Sequence, residues 1–516
     1  MESFSIKNIK SFKDKAEIEI KPITIIVGRN SCGKSSLIRF PIVLAQSADN
    51  RTTGALKFYG DLIDYGNYED VVCGHGNEPI EFSLKLDMDI MNNHSRSYIY
   101  LPKVIHGEVE LVATINKIDN QVVIVKNDIY IDGLLCFSMQ REDDGYSAHV
   151  YYVLDSDLKS FVKEDYSLSL SNIDVDTHSY HIDFGFKTDL AGKIKHKYFN
   201  SLSLEGWTAE DVAAIGFNEA CYDKFFEGRT IVNETDKKHR FQKFMNKVGD
   251  RPFVLEYIRV NLSFELYRNL LSAFGVNSSS ELLDVSYVGP FRSNPERIYR
   301  DEEFDTDKVG VKGEHISTVL IRDYQKTKKL ISRISSWMKR TMGYELVVEE
   351  ISIGLYRLLL VDEKGVKSNL MDVGYGISQI LPILIQVLID KKADDTLYGY
   401  VPESILIIEQ PELHLHPAAQ SELADLFAIG AMESSKKIII ETHSEHLIRK
   451  LQVLVSDPNC KLTNEDVAIY YIDKDESGNA YVKNLKLNPN GKFAEKWPSG
   501  FFDKAHELSM ELLKNQ

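Results

Sequence analysis

The feature that most constrains this chain is a glycine-rich stretch near its amino terminus, which reads Gly28-Arg29-Asn30-Ser31-Cys32-Gly33-Lys34-Ser35-Ser36. It fits the phosphate-loop pattern GxxxxGK[ST]. The apolar, β-branched run 23–27 precedes it as a buried strand would, and a helical pattern begins over 36–40. Glycines let successive backbone N–H groups point into one concavity, and the helix start adds the positive end of its dipole. The stretch therefore predicts a loop that binds a polyphosphate.

Two side chains of this loop have defined roles in the pattern. Lys34 would reach the β- and γ-phosphates of a nucleotide, and the Ser35 hydroxyl would take one position on Mg²⁺. The remaining residues would line the same concavity. We therefore treat all nine residues, 28–36, as candidate nucleotide contacts.

Two apolar runs in the second half of the chain each end in an acidic residue. Ser404–Glu409 is followed by Gln410-Pro411-Glu412-Leu413-His414-Leu415-His416-Pro417, and Lys437–Glu441 is followed by Thr442-His443-Ser444. Mg²⁺ binds few protein oxygens and keeps several waters, so a carboxylate at the end of a buried strand suits a phosphate-loop site. We predict that Glu409 supplies this carboxylate and that Ser35 and Glu409 are the metal-site residues.

A third motif, Asp372-Val373-Gly374-Tyr375-Gly376-Ile377-Ser378-Gln379, opens an apolar helix. The exposed backbone at Gly376 and the Ser378 hydroxyl would form a second anion site at the start of that helix. Along the chain, 375 residues separate Lys34 from Glu409, and Ser378 precedes Glu409 by 31 residues. This order predicts a phosphate-loop head that is split by a long insertion.

The composition describes a globular protein with more than one domain. At 516 residues the chain is too long for one ordinary core, and 43% hydrophobic with 27% charged residues is normal for a folded chain. No apolar run approaches the ~20 residues that span a bilayer, and we see no secretory signal. Five scattered cysteines suit a reducing compartment, so we expect a cytoplasmic protein. A net charge of −16 argues against general affinity for nucleic acid but leaves a local basic groove open.

Periodicity along the chain separates a strand-rich region from helical ones. Residues 2–27 predict two or three strands, and the pattern stays strand-like from 80 to 155. The remaining predicted elements are helices at 208–227, 253–275 and 323–341, the last basic and amphipathic, a strand at Val467–Ile472 and a hairpin-like stretch at Tyr481–Leu487. The helix at 323–341 is either a solvated surface helix or a contact for nucleic-acid phosphates.

The motifs together resemble the ABC-type ATPase heads of the SMC, RecF and OLD group. IKSFKD with ITIIVGRNSCGKSS resembles their Walker A region, VGYGISQILPIL their signature, ILIIEQPELHLHP their Walker B with D-loop, and IIIETHSEHLI their switch-histidine strand. The tail WPSGFFD at 497–503 is most similar to short bacterial antiphage-defence ATPases of the Septu type (PtuA), some of which are attached to retrons. The resemblance covers about 1–75 and 285–516.

This resemblance implies an α/β fold: an ABC-type P-loop ATPase head with a long mixed β and helical insertion between Walker A and the signature. The head would occupy 1–75 and 285–516, and the insertion 76–284 would carry a surface for a partner or nucleic acid. The cofactors implied are ATP and Mg²⁺. Heads of this group pair head to head, as a homodimer or a higher oligomer, so that Gly376 and Ser378 of one subunit cap the ATP of the other.

The resemblance also assigns the chemistry. Glu409 would orient Mg²⁺, Gln410 or Glu412 would lie near the attacking water, and His443 would sense the γ-phosphate. Most ABC ATPases carry a glutamate where this chain has Gln410, and a glutamine can position water but cannot accept its proton. We therefore expect slow hydrolysis, with Glu412 as a substitute base if its loop turns inward.

Three functions are compatible with these motifs. One is an ATP-dependent sensor or regulatory subunit of an antiphage complex that controls a separate nuclease or toxin, with an HNH nuclease as partner if it is Septu-like and a reverse transcriptase with its RNA or DNA product if it is retron-associated. The alternative is a RecF-like DNA-repair or DNA-binding ATPase. A third is a metalloenzyme built on Glu412, His414, His416, Glu441, His443 and His446. A transporter subunit is disfavoured because such subunits lack an insertion of this length.

Overall fold

The computed structural model describes residues 1–47, 55–87, 107–143, 145–154, 161–171, 284–302, 306–390, 404–434 and 436–498, together with Ser263, Tyr267 and Glu511. The chain divides into two compact units. The insertion unit comprises 1–5, 47–57 and 76–282, and the head unit comprises 6–46, 58–75 and 283–516. Two short segments before residue 76 thus group with the insertion. The limits expected from the sequence, 1–75 and 285–516 for the head, remain a prediction.

The insertion unit is built on an antiparallel sheet. Within this sheet β1 lies next to β4, and from β4 to β9 each strand pairs antiparallel with the next strand along the chain. Tight turns with positive φ at both residues, Asp119-Asn120 and Asp132-Gly133, join β5 to β6 and β6 to β7, as hairpins with a right-handed twist require. The bounds are β1 Ser3–Lys7, β4 Ile80–Asp87, β5 Glu108–Ile118, β6 Gln121–Ile131, β7 Leu134–Glu142, β8 Gly145–Leu154 and β9 Phe161–Ser171.

The strand pattern expected from 80 to 155 is confirmed for the described residues. Alternation of buried and half-buried side chains along β5 shows that one face of this sheet is packed and the other is partly open. The helical patterns at 208–227 and 253–275 lie outside the described residues, apart from Ser263 and Tyr267, which are helical. Tyr267 stacks on Phe137 of β7 at a centroid distance of 5.4 Å.

The head unit is organised around a second sheet in the order β10-β15-β16-β3-β17-β18. The first five strands are parallel, and β18 is antiparallel to β17. Every residue of β3, β15 and β16 is buried, because helices cover both faces of a parallel sheet. The bounds are β3 Ile23–Gly28, β10 Asp284–Val288, β15 Ser404–Glu409, β16 Lys436–Glu441, β17 Val467–Lys474 and β18 Ala480–Asn484.

Helices and a small sheet complete the head unit. β13 pairs antiparallel with β11, β12 and β14. The helices are α1 Lys34–Ile38, α2 Phe40–Ser47, α3 Tyr68–Val71, α4 Ile316–Lys326, α5 Lys329–Met342, α6 Tyr375–Leu388, α7 Pro417–Glu433 and α8 Glu445–Ser456. The other strands are β2 Ala16–Glu19, β11 Tyr299–Arg300, β12 Tyr344–Ser352, β13 Leu355–Asp362 and β14 Lys367–Asn369. Short 3₁₀ turns cover Cys73–His75, Leu370–Asp372 and Asn464–Asp466.

The single helix expected at 323–341 is wrong, because the structure has two helices, α4 and α5, in its place. Asp323 makes the break: its side chain accepts bonds from the Thr327 hydroxyl at 2.5 Å and from the Ile331 N–H at 2.9 Å. Lys328 between the helices takes a left-handed φ of 57°. The sequence also predicts an apolar face of Leu330, Ile331, Ile334, Trp337 and Met338, and in α5 all of these residues are buried except Ile331, which is half-buried.

The carboxyl-terminal elements agree with the sequence. β17 covers the strand predicted at Val467–Ile472, and β18 with a bridge between Leu487 and Phe493 forms the hairpin-like stretch. Trp497 packs edge-on against Phe493 with ring centroids 4.7 Å apart. The rest of the tail motif, 499–503, lies outside the described residues. Among the described helices, none combines the length and the apolar character that crossing a membrane requires.

Candidate functional site

The glycine-rich loop follows β3, the strand that lies between β16 and β17. Gly28 ends β3 with a φ of 147°, and a Cβ there would lie 2.0 Å from the carbonyl oxygen of Ile472. Gly33 has a φ of 102°, and a Cβ on it would press on the Phe12 ring at 3.0 Å. Ser31, between them, is left-handed at 61°. Only glycines satisfy both the φ values and the close approach at these two positions, so the loop curls as the sequence predicted.

Lys34 is the buried cation of the loop. Its side chain is 4% exposed, and its Nζ donates to the carbonyl oxygen of Arg29 at 2.7 Å. The same nitrogen lies 3.9 Å from Oε1 of Glu441. Burial lowers the pKa of Lys34, and the charge of Glu441 opposes that shift. The ammonium therefore reaches across its own loop to the Arg29 carbonyl oxygen and lies near the Glu441 carboxylate.

Ser35 and Glu441 form the second contact of the loop. The Ser35 hydroxyl donates to Oε2 of Glu441 at 2.7 Å, and Glu441 is 3% exposed. Burial, followed by the nearby charge of Glu409, raises the pKa of the Glu441 carboxyl. The sequence did not assign Glu441 to this site. The apolar run that ends at Glu441 was the available signal, but adjacency to β3 could not be read from it.

Glu409 lies at the end of β15 and is held by two side chains. Arg39 donates from Nε to Oε1 and from Nη2 to Oε2, the latter at 2.6 Å. The Tyr287 hydroxyl of β10 donates to Oε1 at 2.7 Å. Both carboxylate oxygens are thus engaged in a buried, charge-assisted pair. The sequence indicated neither Arg39 nor Tyr287 as a partner of this acid.

Gln410 begins the loop after β15 with a left-handed φ of 46°. Its N–H donates to the Glu441 carbonyl oxygen at 2.8 Å. Arg292 holds the turn from the other side, because its Nη2 donates to the carbonyl oxygen of Glu409 at 2.8 Å and to that of Gln410 at 3.4 Å. Arg292 is 7% exposed, and burial lowers its pKa to about 10. Its Nε and Nη1 have no hydrogen-bond partner in the described part of the chain.

Glu412 joins the loop after β15 to the loop after β16. Its Oε2 accepts from the Thr442 hydroxyl at 2.8 Å, and its Oε1 accepts from the His443 N–H at 2.6 Å. Burial raises the pKa of Glu412. His443 is half-buried, and burial together with the charge of Lys34 lowers its pKa. The His443 imidazole is therefore kept neutral beside the loop lysine.

The two residues predicted in the signature segment, Ser378 and Gly376, have different surroundings. Ser378 is buried in the first turn of α6, and its hydroxyl donates to the Tyr375 carbonyl oxygen at 2.9 Å. Gly376 approaches the loop after β15 so closely that a Cβ would lie 2.7 Å from the carbonyl oxygen of His414. Gly374 and Tyr375 form the exposed start of this helix.

The remaining loop residues line its mouth. Asn30 and Ser31 are exposed, and Ser36 accepts a hydrogen bond from the Tyr65 hydroxyl through its carbonyl oxygen. Asp473 of β17 lies beside the loop, 3.8 Å from both the Arg29 Nε and the Cys32 Sγ. Burial and the Asp473 charge raise the pKa of the Cys32 thiol. Cys32 is thus a buried, protonated residue of the loop wall.

The donor set fits Mg²⁺ better than a transition metal. One hydroxyl, that of Ser35, and two strand-end carboxylates, those of Glu409 and Glu441, lie at one edge of the sheet. Mg²⁺ prefers such oxygen donors in small number. Over the described ranges, no three or more His, Cys, Asp or Glu side chains come close enough to hold a metal ion. His416 instead caps α7, where its Nδ1 accepts from the Ala418 N–H at 3.4 Å.

Several solved structures of SMC heads are similar to this chain at low identity. An SMC head bound to the C-winged helix domain of ScpA is 12% identical, with 94% of this chain and 98% of that chain covered at a TM-score of 0.37. The Pyrococcus furiosus head with an extended coiled coil, bound to the C-terminal domain of ScpA, is 14% identical, with coverages of 100% and 98% and a TM-score of 0.37. The Thermotoga maritima head is 10% identical, with coverages of 94% and 99% and a TM-score of 0.34. No curated protein matches the chain.

Family models classify most of the sequence. Residues 462–512 match a family described as a protein of unknown function (DUF3696). Residues 1–448 match the family described as AAA ATPase domain. That match, with the strand order above, confirms the predicted fold class, an α/β ABC-type P-loop ATPase head with a long insertion. The chain therefore belongs to the AAA ATPase domain family.

Proposed function

We propose that this chain binds ATP with Mg²⁺ in the loop 28–36 and hydrolyses it slowly. One observation carries the proposal: a strand-to-helix loop places the Lys34 ammonium and the Ser35 hydroxyl beside one buried carboxylate, that of Glu441. This arrangement supplies a cation for phosphates, a hydroxyl for Mg²⁺ and backbone N–H groups for the oxygens between them.

Nucleotide binding would exchange contacts that the loop already makes with itself. The Lys34 Nζ now bonds the Arg29 carbonyl oxygen, and a phosphate oxygen offers the same nitrogen a stronger, charge-assisted partner. Arg29, with 62% of its side chain exposed, stands at the mouth of the loop and can meet phosphates or ribose as they enter. Bound Mg²⁺ would neutralise phosphate charge, and Ser35 with a strand-end carboxylate would hold it.

Slow hydrolysis is supported by the groups near the end of β15. Gln410 can orient a water but accepts no proton. Glu412, the substitute considered from the sequence, directs both carboxylate oxygens at Thr442 and the His443 backbone. Positioning and charge stabilisation still support phosphoryl transfer, so turnover is reduced and not abolished. His443, with its lowered pKa, serves as a neutral hydrogen-bonding sensor of the γ-phosphate.

A head-to-head dimer would complete the site from the signature segment. The exposed turn of that segment is Gly374 and Tyr375, where the first backbone N–H groups of α6 would be offered to an anion. Ser378 would join this cap only after its hydroxyl leaves the Tyr375 carbonyl oxygen. The proposed partner surface is therefore the turn itself, with Ser378 as the residue that responds to closure.

The biological role we propose is that of an ATP-dependent sensor or regulatory subunit in an antiphage complex with a separate nuclease or toxin. Its support is the resemblance of the tail at 497–503 to short antiphage-defence ATPases of the Septu type, together with the four motifs that resemble heads of the SMC, RecF and OLD group. Affinity purification from the native host, followed by mass spectrometry and nucleic-acid extraction, tests this role. A nuclease, toxin or reverse transcriptase that co-purifies would agree with it, whereas DNA-repair proteins alone would point to the RecF-like alternative.

The ATP site is tested by Lys34→Ala. A charge-assisted contact is worth about 1.5–3 kcal/mol, so ATP affinity should fall about tenfold to a hundredfold or more in calorimetry, while circular dichroism stays unchanged. Lys364→Ala, at an exposed turn position, is the matched control and should bind ATP normally. A folded Lys34→Ala protein with full ATP affinity would contradict the site.

A further inference from the structure

We infer that Arg292 is a positioning residue for ATP hydrolysis, which acts by holding Gln410 in the turn that follows β15. The inference rests on the proposed function and adds to it a residue outside the four motifs. It is supported by the place of Arg292 at the edge of the sheet, by the left-handed backbone of Gln410, and by guanidinium donors that have no partner among the described residues.

Arg292 lies shortly after β10, the strand that borders β15. The two strands are parallel neighbours, so the segments that follow them leave from the same edge of the sheet. The backbone around Arg292 is anchored: the Ser293 N–H donates to the Lys312 carbonyl oxygen at 2.8 Å. Near the start of α6, Nε2 of the buried Gln379 donates to the Arg292 carbonyl oxygen at 3.4 Å. The guanidinium therefore reaches the turn after β15 from a fixed backbone.

Gln410 takes a conformation that a residue with a Cβ rarely adopts without support. Its φ of 46° is left-handed, where the Cβ crowds the backbone, so the turn persists only because neighbouring groups hold it. On one side, the Gln410 N–H is bound by the Glu441 carbonyl oxygen at 2.8 Å. On the other side, Nη2 of Arg292 donates to the carbonyl oxygens of Glu409 and Gln410, at 2.8 Å and 3.4 Å. Arg292 thus holds the carbonyl side of this turn.

The guanidinium is an unfavourable group to bury if it only packs against the turn. Arg292 is 7% exposed, and its Nε and Nη1 have no hydrogen-bond partner within the described ranges. Buried charges and donors are normally paired, so an exception calls for a role beyond packing. A glutamine that orients the attacking water needs a fixed backbone, and Arg292 supplies this for Gln410. The spare donors remain for oxygen acceptors that enter with the nucleotide and would hold the guanidinium in place during turnover.

A double-mutant cycle separates positioning from a general structural role. Arg292→Gln, Gln410→Ala and the double variant are prepared in the full-length chain, and Arg300→Lys, at an exposed position on β11, is the control that should match wild type. Calorimetry with a non-hydrolysable ATP analogue gives the affinity, and single-turnover assays give the rate of hydrolysis. We expect Arg292→Gln to bind the analogue within threefold of wild type and to hydrolyse ATP at least tenfold more slowly. In the Gln410→Ala background the same change should slow hydrolysis less than twofold, because no side chain is left to position.

Several outcomes would overturn the inference. Slowing of twofold or more in the Gln410→Ala background would show that Arg292 acts by another route, and slowing of less than tenfold in the wild-type background would show that the turn does not need it. A loss of affinity beyond threefold would assign Arg292 to nucleotide binding. If Arg292→Gln does not fold, Arg292→Lys, which keeps the charge but offers one nitrogen in place of three, enters the same cycle with a threefold limit on the slowing. If wild type binds or hydrolyses no ATP, the proposed function fails, and the inference fails with it.

Discussion

Strands β15 and β16 are near copies of each other, yet their terminal glutamates have different partners. Both strands are six buried residues that end in Glu, and Glu409 and Glu441 are register partners. Glu409 pairs with Arg39 and Tyr287, whereas Glu441 meets Ser35 and Lys34. Since the local sequences are alike, the difference comes from lateral position: β15 borders β10, and β16 borders β3.

The loops after the two strands differ in the same way. Gln410 leaves β15 in a left-handed turn held by Arg292, which lies shortly after β10. Thr442 leaves β16 along β3, and Ser444 then caps α8 by accepting from the Leu447 N–H at 3.2 Å. One strand end is therefore tied to the far side of the sheet and the other to the phosphate loop. Four sets of substitutions test whether the carboxyl ends of β15 and β16 have separate roles.

The largest effect is expected for Arg39→Met, which removes the partner of Glu409. Breaking a buried pair from one side leaves an uncompensated charge and costs about 3–5 kcal/mol. Urea unfolding should show that loss. Arg449→Met, which removes an exposed partner of Glu445, should cost less than about 0.5 kcal/mol.

A double variant shows whether the stability lost in Arg39→Met comes from the unpaired charge of the buried Glu409 carboxylate. Arg39→Met combined with Glu409→Gln leaves no buried carboxylate at that position and should recover most of the stability. If the double variant is as unstable as Arg39→Met, packing and not charge explains the effect, and Glu409 is less dependent on Arg39 than its contacts indicate.

The next test concerns Gln410, which stands after β15 at the position where a general base is usual. Gln410→Glu should turn over ATP as fast as wild type or up to about a hundredfold faster, because general-base help is typically worth ~10²–10⁴-fold. Single-turnover hydrolysis is the measurement, with Glu412→Gln as the comparison. A much slower Gln410→Glu, or wild type that cycles many times per second, would contradict slow turnover. Loss of turnover in Glu412→Gln alone would make Glu412 the base.

The motifs predicted where β15 and β16 end along the chain. They did not predict which strands lie beside them or which side chains contact Glu409 and Glu441. Apolar runs reveal where β3, β15 and β16 lie along the chain, and the glycines at 28 and 33 reveal the loop. Lateral order in a parallel sheet is set by long-range packing, which a local pattern does not report. For the same reason Arg39 appeared as an ordinary helix residue. The break at Thr327–Lys328 was missed because apolar spacing continued across it while the Asp323 side chain competed for backbone N–H groups.

A smaller effect should distinguish two glycines of the signature segment. A Cβ on Gly376 would lie 2.7 Å from the His414 carbonyl oxygen, in the loop that follows β15, whereas nothing lies within 4 Å of a Cβ on Gly374. Overpacking of this kind typically costs 1–3 kcal/mol. Gly376→Ala should therefore lower the unfolding free energy by about 1–3 kcal/mol, and Gly374→Ala should leave it nearly unchanged. If Gly376→Ala and Gly374→Ala changed the unfolding free energy equally, the loop after β15 would move to accommodate the added Cβ without cost.

The smallest expected effect is a change in pH dependence on removal of the Glu441 carboxyl. Burial raises the pKa of Glu441 in the folded protein, so the native state holds that proton more tightly than the unfolded chain does. Stability from this group is then present below the unfolded pKa, near 4.5, and is lost as pH rises through the folded pKa, by at most ~1.4 kcal/mol per pH unit. In nucleotide-free protein, the stability of Glu441→Gln relative to wild type should therefore rise with pH across this window and then level off. Urea unfolding at several pH values measures it, with the exposed Glu476→Gln expected to run parallel to wild type. If the unfolding free energies of Glu441→Gln and wild type changed with pH in parallel, Ser35 and Lys34 would already offset the cost of burying the Glu441 charge. Glu441 would then be as well compensated as Glu409 is by Arg39 and Tyr287.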